Sequence, residues 1–293
     1  MHGHLAPSHT FAVLRLLHRA ALADGRHAMS EQARLTLRGS VPRAVTHLLL
    51  YEGTDLAGYG QLEHAGPATL PSAEMVVHPH YRRRGHGLRL GRALLDECGG
   101  RMRMWAHGGH TGAQRLADLL GLTLHRELLQ LRCAVSDLKL REPQFPPGVM
   151  VRTFEPGADD AEWLAVNAAA FADHPEQGLL SQADLDARKV EPWFDAGSFF
   201  LAVKGVRVLG FAWCKVHDAE HLGEGYAAGV LPAERGLGLG AALYSVMFRH
   251  LAQASGVDTV MGYVDSDNVP SLLLCERMGL RRYESDLMYY AGG

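Results

Sequence analysis

Two glycine-rich stretches carry residue types that could hold a phosphate. One reads "LPAERGLGLGAAL" from residue 231; the other, about 150 residues earlier, reads "HPHYRRRGHGLRL" from residue 78. Each follows an apolar run closed by a proline, Pro232 or Pro79, and each leads into an amphipathic helical pattern. A segment of this kind exposes several backbone N–H groups in one arc. Glycines let a ligand come close to the backbone and permit positive φ. The first turn of a helix adds N–H groups without an internal partner, and its dipole adds partial positive charge. Together these suit a diphosphate. Arg82, Arg83 and Arg84 bring further charge to the first copy, and Arg235 to the second. The plainer alternative is a tight strand-to-helix connection, which loses ground when the same arrangement occurs twice. Two other phosphate motifs fit poorly. Neither copy has the G-K-[ST] of nucleoside-triphosphate loops. The strand after the first copy ends in Ala106 and His107, where a dinucleotide fingerprint expects an acidic residue.

The elements that must carry these loops also repeat. "REPQFPPG", residues 141–148, has three prolines and a glycine and reads as a linker between a first domain, 1–140, and a second, 149–293. In the first domain the periodicity predicts helices over 9–22 and 29–37, then strands "VTHLLLYEG", "LAGYGQLEH" and "AEMVVHP". After the glycine turn come helix 87–98, strand "RMWAH", helix 112–120 and strand "HRELLQLRCAV". The second domain follows the same order: strand "VMVRTF", helices 159–171 and 181–189, then strands "SFFLAVKG", "RVLGFAWCKV" and "EGYAAGV". Helix 240–254, strand "DTVMGYV", helix 269–277 and strand "LRRYESDLMYY" complete it. The expected fold class is α+β (α/β): two similar tandem domains, each a mixed, mostly antiparallel sheet flanked by helices.

Composition limits the partners. The 293 residues are 47% apolar and 21% charged, which suits a soluble globular protein with a sizeable core. A formal charge of −3 argues against bulk nucleic-acid binding. No apolar run approaches a membrane span, and the "MHGHLAPSHT" start has no charged-then-apolar signal pattern, so a cytoplasmic protein, monomeric or weakly dimeric, is expected. The cysteines Cys98, Cys133, Cys214 and Cys275 are scattered and indicate neither a disulfide framework nor a zinc site. His78, His80, His107 and His110 crowd loops without a metal-selecting spacing, and the four tryptophans read as core. No metal is expected.

R-x-x-G-x-G/A between a strand and a helix resembles the acetyl-CoA loop of the GNAT superfamily of N-acetyltransferases. The second copy fits from Arg235 through Gly238 to Gly240; the first, aligned on Arg84 and Gly87, has Arg89 where the last small residue belongs. "YVDSDNVPSLLLCERMGLRRY" looks like that superfamily's final strand, helix and strand. Two such domains in one chain are similar to the tandem, mycothiol-synthase type, which acetylates the cysteinyl amine of a cysteinyl-glucosaminyl-inositol. "VVHPHYRRRGHG", "WAHGG", "RELLQLR", "AAFADHPEQG", "GFAWCKVH" and "GEGYAAGV" extend the likeness over nearly the whole chain. The resemblance implies acetyl-CoA as cofactor and a small-molecule amine as partner. It implies one CoA held in the first domain by Met75, Val76 and Val77 with Arg83, Arg84, Gly85, His86, Gly87 and Leu88. It implies the reacting acetyl-CoA on Ala228, Gly229, Val230, Arg235, Gly236, Leu237, Gly238, Leu239, Gly240, Ala241 and Asn268. Glu31, Glu176, Lys215, Glu224 and Tyr263 match positions that line the amine substrate.

Acetyl transfer needs a neutral amine, a polarised thioester carbonyl and a protonated leaving thiol. An alkylammonium is charged at neutral pH, so a base must take its proton. Glu224, at the start of the strand before the second loop, is the candidate; a solvated strand-start carboxylate is the alternative. Backbone N–H groups near Val230 could polarise the carbonyl if the strand parts from its neighbour there, a distortion that Gly229 makes cheap. The tyrosine common in the superfamily as the thiol's acid is replaced by Cys275, so Cys275, Tyr263 or water would protonate the thiolate, with a core cysteine as the plainer reading of Cys275. The first domain has Ala117 at that place, no Asn at the helix start and no glycine near the expected carbonyl, so it is expected to be non-catalytic. The competing readings are an acetyltransferase for another small amine and a CoA-binding regulator without turnover.

Overall fold

The computed structural model describes residues 3–64, 69–172, 174 and 176–292. The first half contains α1 (Pro7–Asp24), α2 (Glu31–Leu37), β1 (Ala44–Glu52), β2 (Asp55–His64), β3 (Ser72–Val77), α3 (His86–Glu97), β4 (Met102–Ala106), α4 (Thr111–Leu119) and β5 (Thr123–Ala134). The second contains β6 (Met150–Thr153), α5 (Asp160–Ala170), α6 (Gln182–Lys189), β7 (Phe199–Lys204), β8 (Arg207–His217), β9 (Leu222–Val230), α7 (Leu239–Gln253), β10 (Thr259–Asp265), α8 (Val269–Arg277) and β11 (Arg281–Ala291). This is the order that the apolar periodicity predicts, with short 3₁₀ turns added. Among the described residues no helix is long and apolar enough to cross a membrane.

The chain forms two compact units, one of residues up to Leu128 together with Glu284 onward, the other Leu129–Tyr283. These differ from linear halves divided at 141–148. The end of β11 pairs antiparallel with β4, Leu287 opposite Ala106, and so belongs to the first unit. Strand composition cannot reveal which sheet a strand joins, since either offers the same backbone partners.

In the first unit the strand order is β1-β2-β3-β4-β11, antiparallel except for the parallel pair β3–β4. Tyr59 and Val76 face α1 and α2, packing with Val13, Leu16, Leu17 and Ala33. Leu62 and Met102 pack with Leu94 and Leu122 in a second cluster. The other unit runs β10-β9-β8-β7-β6; β9 and β10 are parallel, and the remaining neighbours antiparallel. Period-2 alternation along β8 assigns its faces. Phe211 and Trp213 join Trp163, Leu185 and Phe199 on one side; Ala212 and Cys214 join Leu243, Met247 and Phe248 on the other. Trp213 stacks on Phe199 with centroids 4.4 Å apart.

Each unit turns from its parallel-paired strand into a helix in the same way. A 3₁₀ turn, Pro79–Tyr81 or Pro232–Glu234, is followed by an extended arginine: Arg82 at φ −67°, ψ 159°, and Arg235 at φ −71°, ψ 155°. Next comes a left-handed residue, Arg83 (φ 64°) or Gly236 (φ 80°). The helix N-cap is a glycine at φ 84°, ψ −4° in Gly85 and φ 83°, ψ −5° in Gly238. The structural match is therefore Arg82-x-x-Gly85-x-Gly87 with Arg235-x-x-Gly238-x-Gly240, two residues earlier than the alignment on Arg84 and Gly87. A run of three arginines and closely spaced glycines fits either phase, and the backbone dihedrals select one. In this phase the first copy completes the pattern, with Gly87 in place of Arg89 at the last small position.

The first loop's richer arginine cluster is largely engaged within its own unit. Arg82 donates to both oxygens of Asp24 at 2.6 and 2.7 Å and to the Val77 carbonyl at 3.1 Å. Glu52 accepts from Arg84 and pairs with His86. Arg83 adopts the left-handed conformation that costs a non-glycine residue ~1–2 kcal/mol. Arg83→Gly is expected to raise stability by up to ~1 kcal/mol, and Gly236→Ala to lower it by ~1 kcal/mol, each read as a shift in urea-denaturation midpoint.

The first unit also buries an ionic cluster. His107, read from sequence as a surface or loop histidine, lies between two carboxylates: Nε2 is 3.1 Å from Glu74 and Nδ1 is 2.9 Å from Asp286. Glu74 accepts the Ser30 N–H and O–H, both at 2.6 Å, and Ser30 caps α2. Burial opposes the imidazolium, but Asp286 and Glu74 outweigh it and hold His107 at about 10. Burial likewise opposes the Glu74 carboxylate, yet His107 and Ser30 keep it below its ordinary value. The raised histidine contributes stability that is complete below about 6.5 and lost as pH rises through about 10; the lowered glutamate contributes above its ordinary 4.5 and loses it on acidification. His107→Gln should cost ~3 kcal/mol near neutrality, with the difference from the parent protein shrinking as urea melts are moved from pH 7 to pH 11.

Candidate functional site

The loop Arg235–Ala241 joins β9 to α7 through glycines that stand clear of other atoms. A Cβ built on Gly236 or Gly238 meets no atom within 4 Å, so these glycines serve a left-handed backbone in open space and relieve no clash. At Gly240 the nearest atom is a Val230 methyl at 3.8 Å. Leu237 is exposed, as is Ala241, while Leu239 packs into the core under α7. Arg235 donates to the Ala170 carbonyl at 2.8 Å, which ties the loop to the end of α5.

The strand leading into this loop parts from its parallel neighbour. Pairing of β9 with β10 stops at Gly225 opposite Gly262, although β9 continues to Val230 against β8. Tyr226 to Val230, including Ala228, Gly229 and Val230, thus follow the point where the β9–β10 ladder ends. The divergence needed near Val230 is present. Gly229 is required by packing as well: a Cβ there would lie 2.9 Å from Ala170 and from Phe211. A bulge also falls here, since Trp213 faces Ala227 and Cys214 faces Gly225, so the register steps past Tyr226.

Glu224 lies where all three strands still pair, opposite Lys215 and Met261. It is 8% exposed, unlike the solvated strand-start carboxylate that sequence also allowed. Its Oε2 is 2.7 Å from His217 Nε2. Lys215, 7% exposed, holds its Nζ 4.3 Å from the Trp193 ring centroid and 5.4 Å from that of Tyr226. Arg188 on α6 donates to Tyr226 Oη at 2.6 Å and to the Asp184 carbonyl. The result is a buried carboxylate beside a cation boxed by aromatic rings. His217, Tyr226, Trp193 and Arg188 were not singled out for this site from sequence. The two-residue spacing of His217 from Lys215, and of Tyr226 from Glu224, is the signal that could have found two of them; Arg188 on α6 and Trp193 just after it come from distant sequence.

The other expected residues are distributed as follows. Tyr263 on β10 is partly exposed, and its hydroxyl accepts from Gln130 Nε2 at 2.6 Å. Cys275 is 1% exposed in the core cluster with Leu243 and Met247, and burial pushes its thiol up to about 12. Asn268 N-caps α8, its side chain accepting from Ser271 N–H at 3.3 Å. In the first unit His110 caps α4 in the same way through Gly112 N–H, so a histidine does there what Asn268 does here. Glu176 precedes a 3₁₀ turn, and His174 Nδ1 accepts its backbone N–H. Glu31 opens α2 in the first unit.

In that first unit β3 and β4 part in the same manner, pairing only at Ser72 and Ala73, while β3 runs on to Val77 against β2. Met75 and Val77 side chains line the approach to Gly87. Val76 faces the opposite cluster; Arg83, Arg84 and Gly85 are exposed, with His86 and Leu88 half-buried. The Glu74–His107 pair spans the mouth of this opening. By register and by helix caps the corresponding positions in the other unit hold Ala227 and Asp265.

Comparison with known proteins agrees with this architecture. The model of the acetyltransferase (GNAT) family matches residues 12–122 and again 163–280. A mycothiol acetyltransferase from Streptomyces scabiei is 56% identical over 278 residues, covering 95% of this chain and 90% of its own length. One from Thermobispora bispora is 47% identical over 288 residues, covering 97% and 96%. Among solved structures, a tandem GNAT protein from the clavulanic acid biosynthesis pathway superposes with a TM-score of 0.73 at 16% identity, over 100% of this chain and 99% of that one. A GCN5-related N-acetyltransferase from Sphaerobacter thermophilus gives 0.66 at 20% identity, over 99% and 94%. Twice over its length, this chain belongs to the acetyltransferase (GNAT) family and is an N-acetyltransferase of the tandem type.

Proposed function

We propose that the unit holding Glu224 transfers acetyl from acetyl-CoA to the cysteinyl amine of a cysteinyl-glucosaminyl-inositol, the mycothiol synthase reaction. The observation that carries this is the buried Glu224 at the mouth of the β9–β10 opening, which leads to a loop whose Gly236 and Gly238 stand in open space. Identity above 50% to mycothiol acetyltransferases over nearly the whole chain supports the choice of amine.

Acetyl-CoA supplies the activated acyl group. The residues present suit it: Arg235–Ala241 form an anion cradle at the N-terminus of α7, and Ala228–Val230 offer a strand edge along which an extended chain could run. Glu224 takes the amine's proton directly or through one water, and its burial keeps water from competing for it. Backbone N–H groups near Val230 stabilise charge on the thioester oxygen. Lys215 and the rings about it bound the acceptor's side of the site, with Glu176 and Tyr263 of the same unit as further polar contacts for a hydroxyl-rich amine. The first unit is assigned a supporting, non-catalytic role, because a Glu74–His107 ion pair stands where the other unit has Ala227 and Asp265.

Burial makes Cys275 a poor acid for the leaving thiolate, and leaves Tyr263 or water for that role. Glu224→Gln should lower kcat by ~10²–10⁴ at neutral pH while CoA affinity stays within twofold, measured by mass spectrometry of the product and by calorimetry. Unchanged turnover would remove Glu224 as base. Cys275→Ala should leave kcat within about threefold and lower stability by ~1–2 kcal/mol; a hundredfold loss of kcat in the folded variant would restore the thiol as acid. CoA binding without turnover of any amine in a panel that includes cysteinyl-glucosamine would favour the regulatory alternative.

A further inference from the structure

We infer that His217 is a catalytic partner of Glu224, carrying the proton taken from the amine out to solvent. Proton stoichiometry creates the need. An ammonium that becomes an amide loses two protons as its N–C bond forms and the thioester C–S bond breaks. One ends on the departing thiolate; the other must leave the protein before the next turnover. Glu224, with its side chain 11% exposed, has little contact of its own with water.

Strand geometry puts His217 in position. Lys215 and His217 are two apart on β8 and share a face, and the antiparallel register sets Glu224 opposite Lys215 and diagonal to His217. His217 Nε2 lies 2.7 Å from Glu224 Oε2, close enough for a proton to pass between them. The imidazole is 26% exposed, more than twice the carboxylate, and it is the last residue of β8 before the exposed turn at Asp218–Glu220. The pair therefore runs from interior to rim. With Nε2 unprotonated, His217 accepts the proton that Glu224 has gained, the imidazolium gives up Nδ1–H to water, and proton exchange between solvent and the partly exposed ring returns it to the Nδ1–H tautomer; no atom changes oxidation state, and both carboxylate and imidazole are restored. Imidazole, which alone among side chains both accepts and donates near neutral pH through two nitrogens, suits this transfer. Lys215 beside it is turned over Trp193 and Tyr226, and a lysine cannot serve as acceptor while it is charged.

This relay rests on the assignment of Glu224 as base, and the test separates the two. His217→Ala, His217→Gln and Glu224→Gln are assayed in the full chain with saturating acetyl-CoA and cysteinyl-glucosamine, product being counted by mass spectrometry. Glutamine keeps a hydrogen bond to Glu224 but cannot relay a proton. Both His217 variants should lose ~10–100-fold in kcat, with KM for acetyl-CoA within twofold, and added imidazole should restore His217→Ala in proportion to its concentration. Wild-type turnover by His217→Gln, or a loss in His217→Ala that imidazole leaves untouched, overturns the relay. If His217→Gln is fully active while Glu224→Gln is dead, only the relay fails; if both are fully active, the base assignment fails with it.

Discussion

One backbone constraint underlies the chemistry of this protein: a parallel ladder that stops early. Between β9 and β10 the hydrogen bonds end at Gly225 and Gly262, while β9 remains held to Val230 by β8 on its other side. A strand fixed along one edge and released along the other presents polar backbone without falling apart, because its remaining ladder and packing still hold it. Met247 and Phe248 of α7 brace one face, and Trp163 and Phe211 brace the other. Without that bracing, bare strand edges would recruit another strand.

The same release occurs in the first unit, and the contrast between the two shows how one scaffold can hold different contents. The two loops share an extended arginine, Arg82 or Arg235, then a left-handed residue, Arg83 or Gly236, and a left-handed glycine N-cap, Gly85 or Gly238. What differs is side chains at the opening. Glu74 and His107 tie the parting strands together through a buried ion pair that also anchors Ser30, whereas Ala227 leaves space. Arginines around the first loop are committed to Asp24 and Glu52. Duplication preserved a backbone more faithfully than it preserved the chemistry placed on it.

Around Glu224 the electrostatics are organised by exclusion of water. A carboxylate this buried needs a polar partner, and His217 Nε2 lies 2.7 Å from it. Lys215 is kept close by rings, which stabilise an ammonium through their faces while leaving it with fewer waters. The proposed acceptor site therefore combines fixed charge with aromatic rings.

Much of this was legible in the residues before any coordinates. Alternation and helical periodicity, punctuated by Pro79, Pro232 and the glycine runs, determined the element order, the duplication and the location of both glycine-rich strand-to-helix turns, because these are local properties of backbone sterics and amphipathicity. Glu224 and Lys215 could be named for the same site through family resemblance. Three matters were decided only by tertiary structure. The phase of the first loop depended on which residue adopts left-handed φ, and Arg83 does so against its own preference. The exchange that gives the end of β11 to the first unit depended on strand pairing between distant segments. The burial of His107 and Cys275, and the joining of His217 to Glu224, depended on which side chains the strands and helices of each unit bring together. Pairing and burial are long-range properties: a residue's type states what it can do in water, and only the folded neighbourhood states whether it still has water, a partner, or neither.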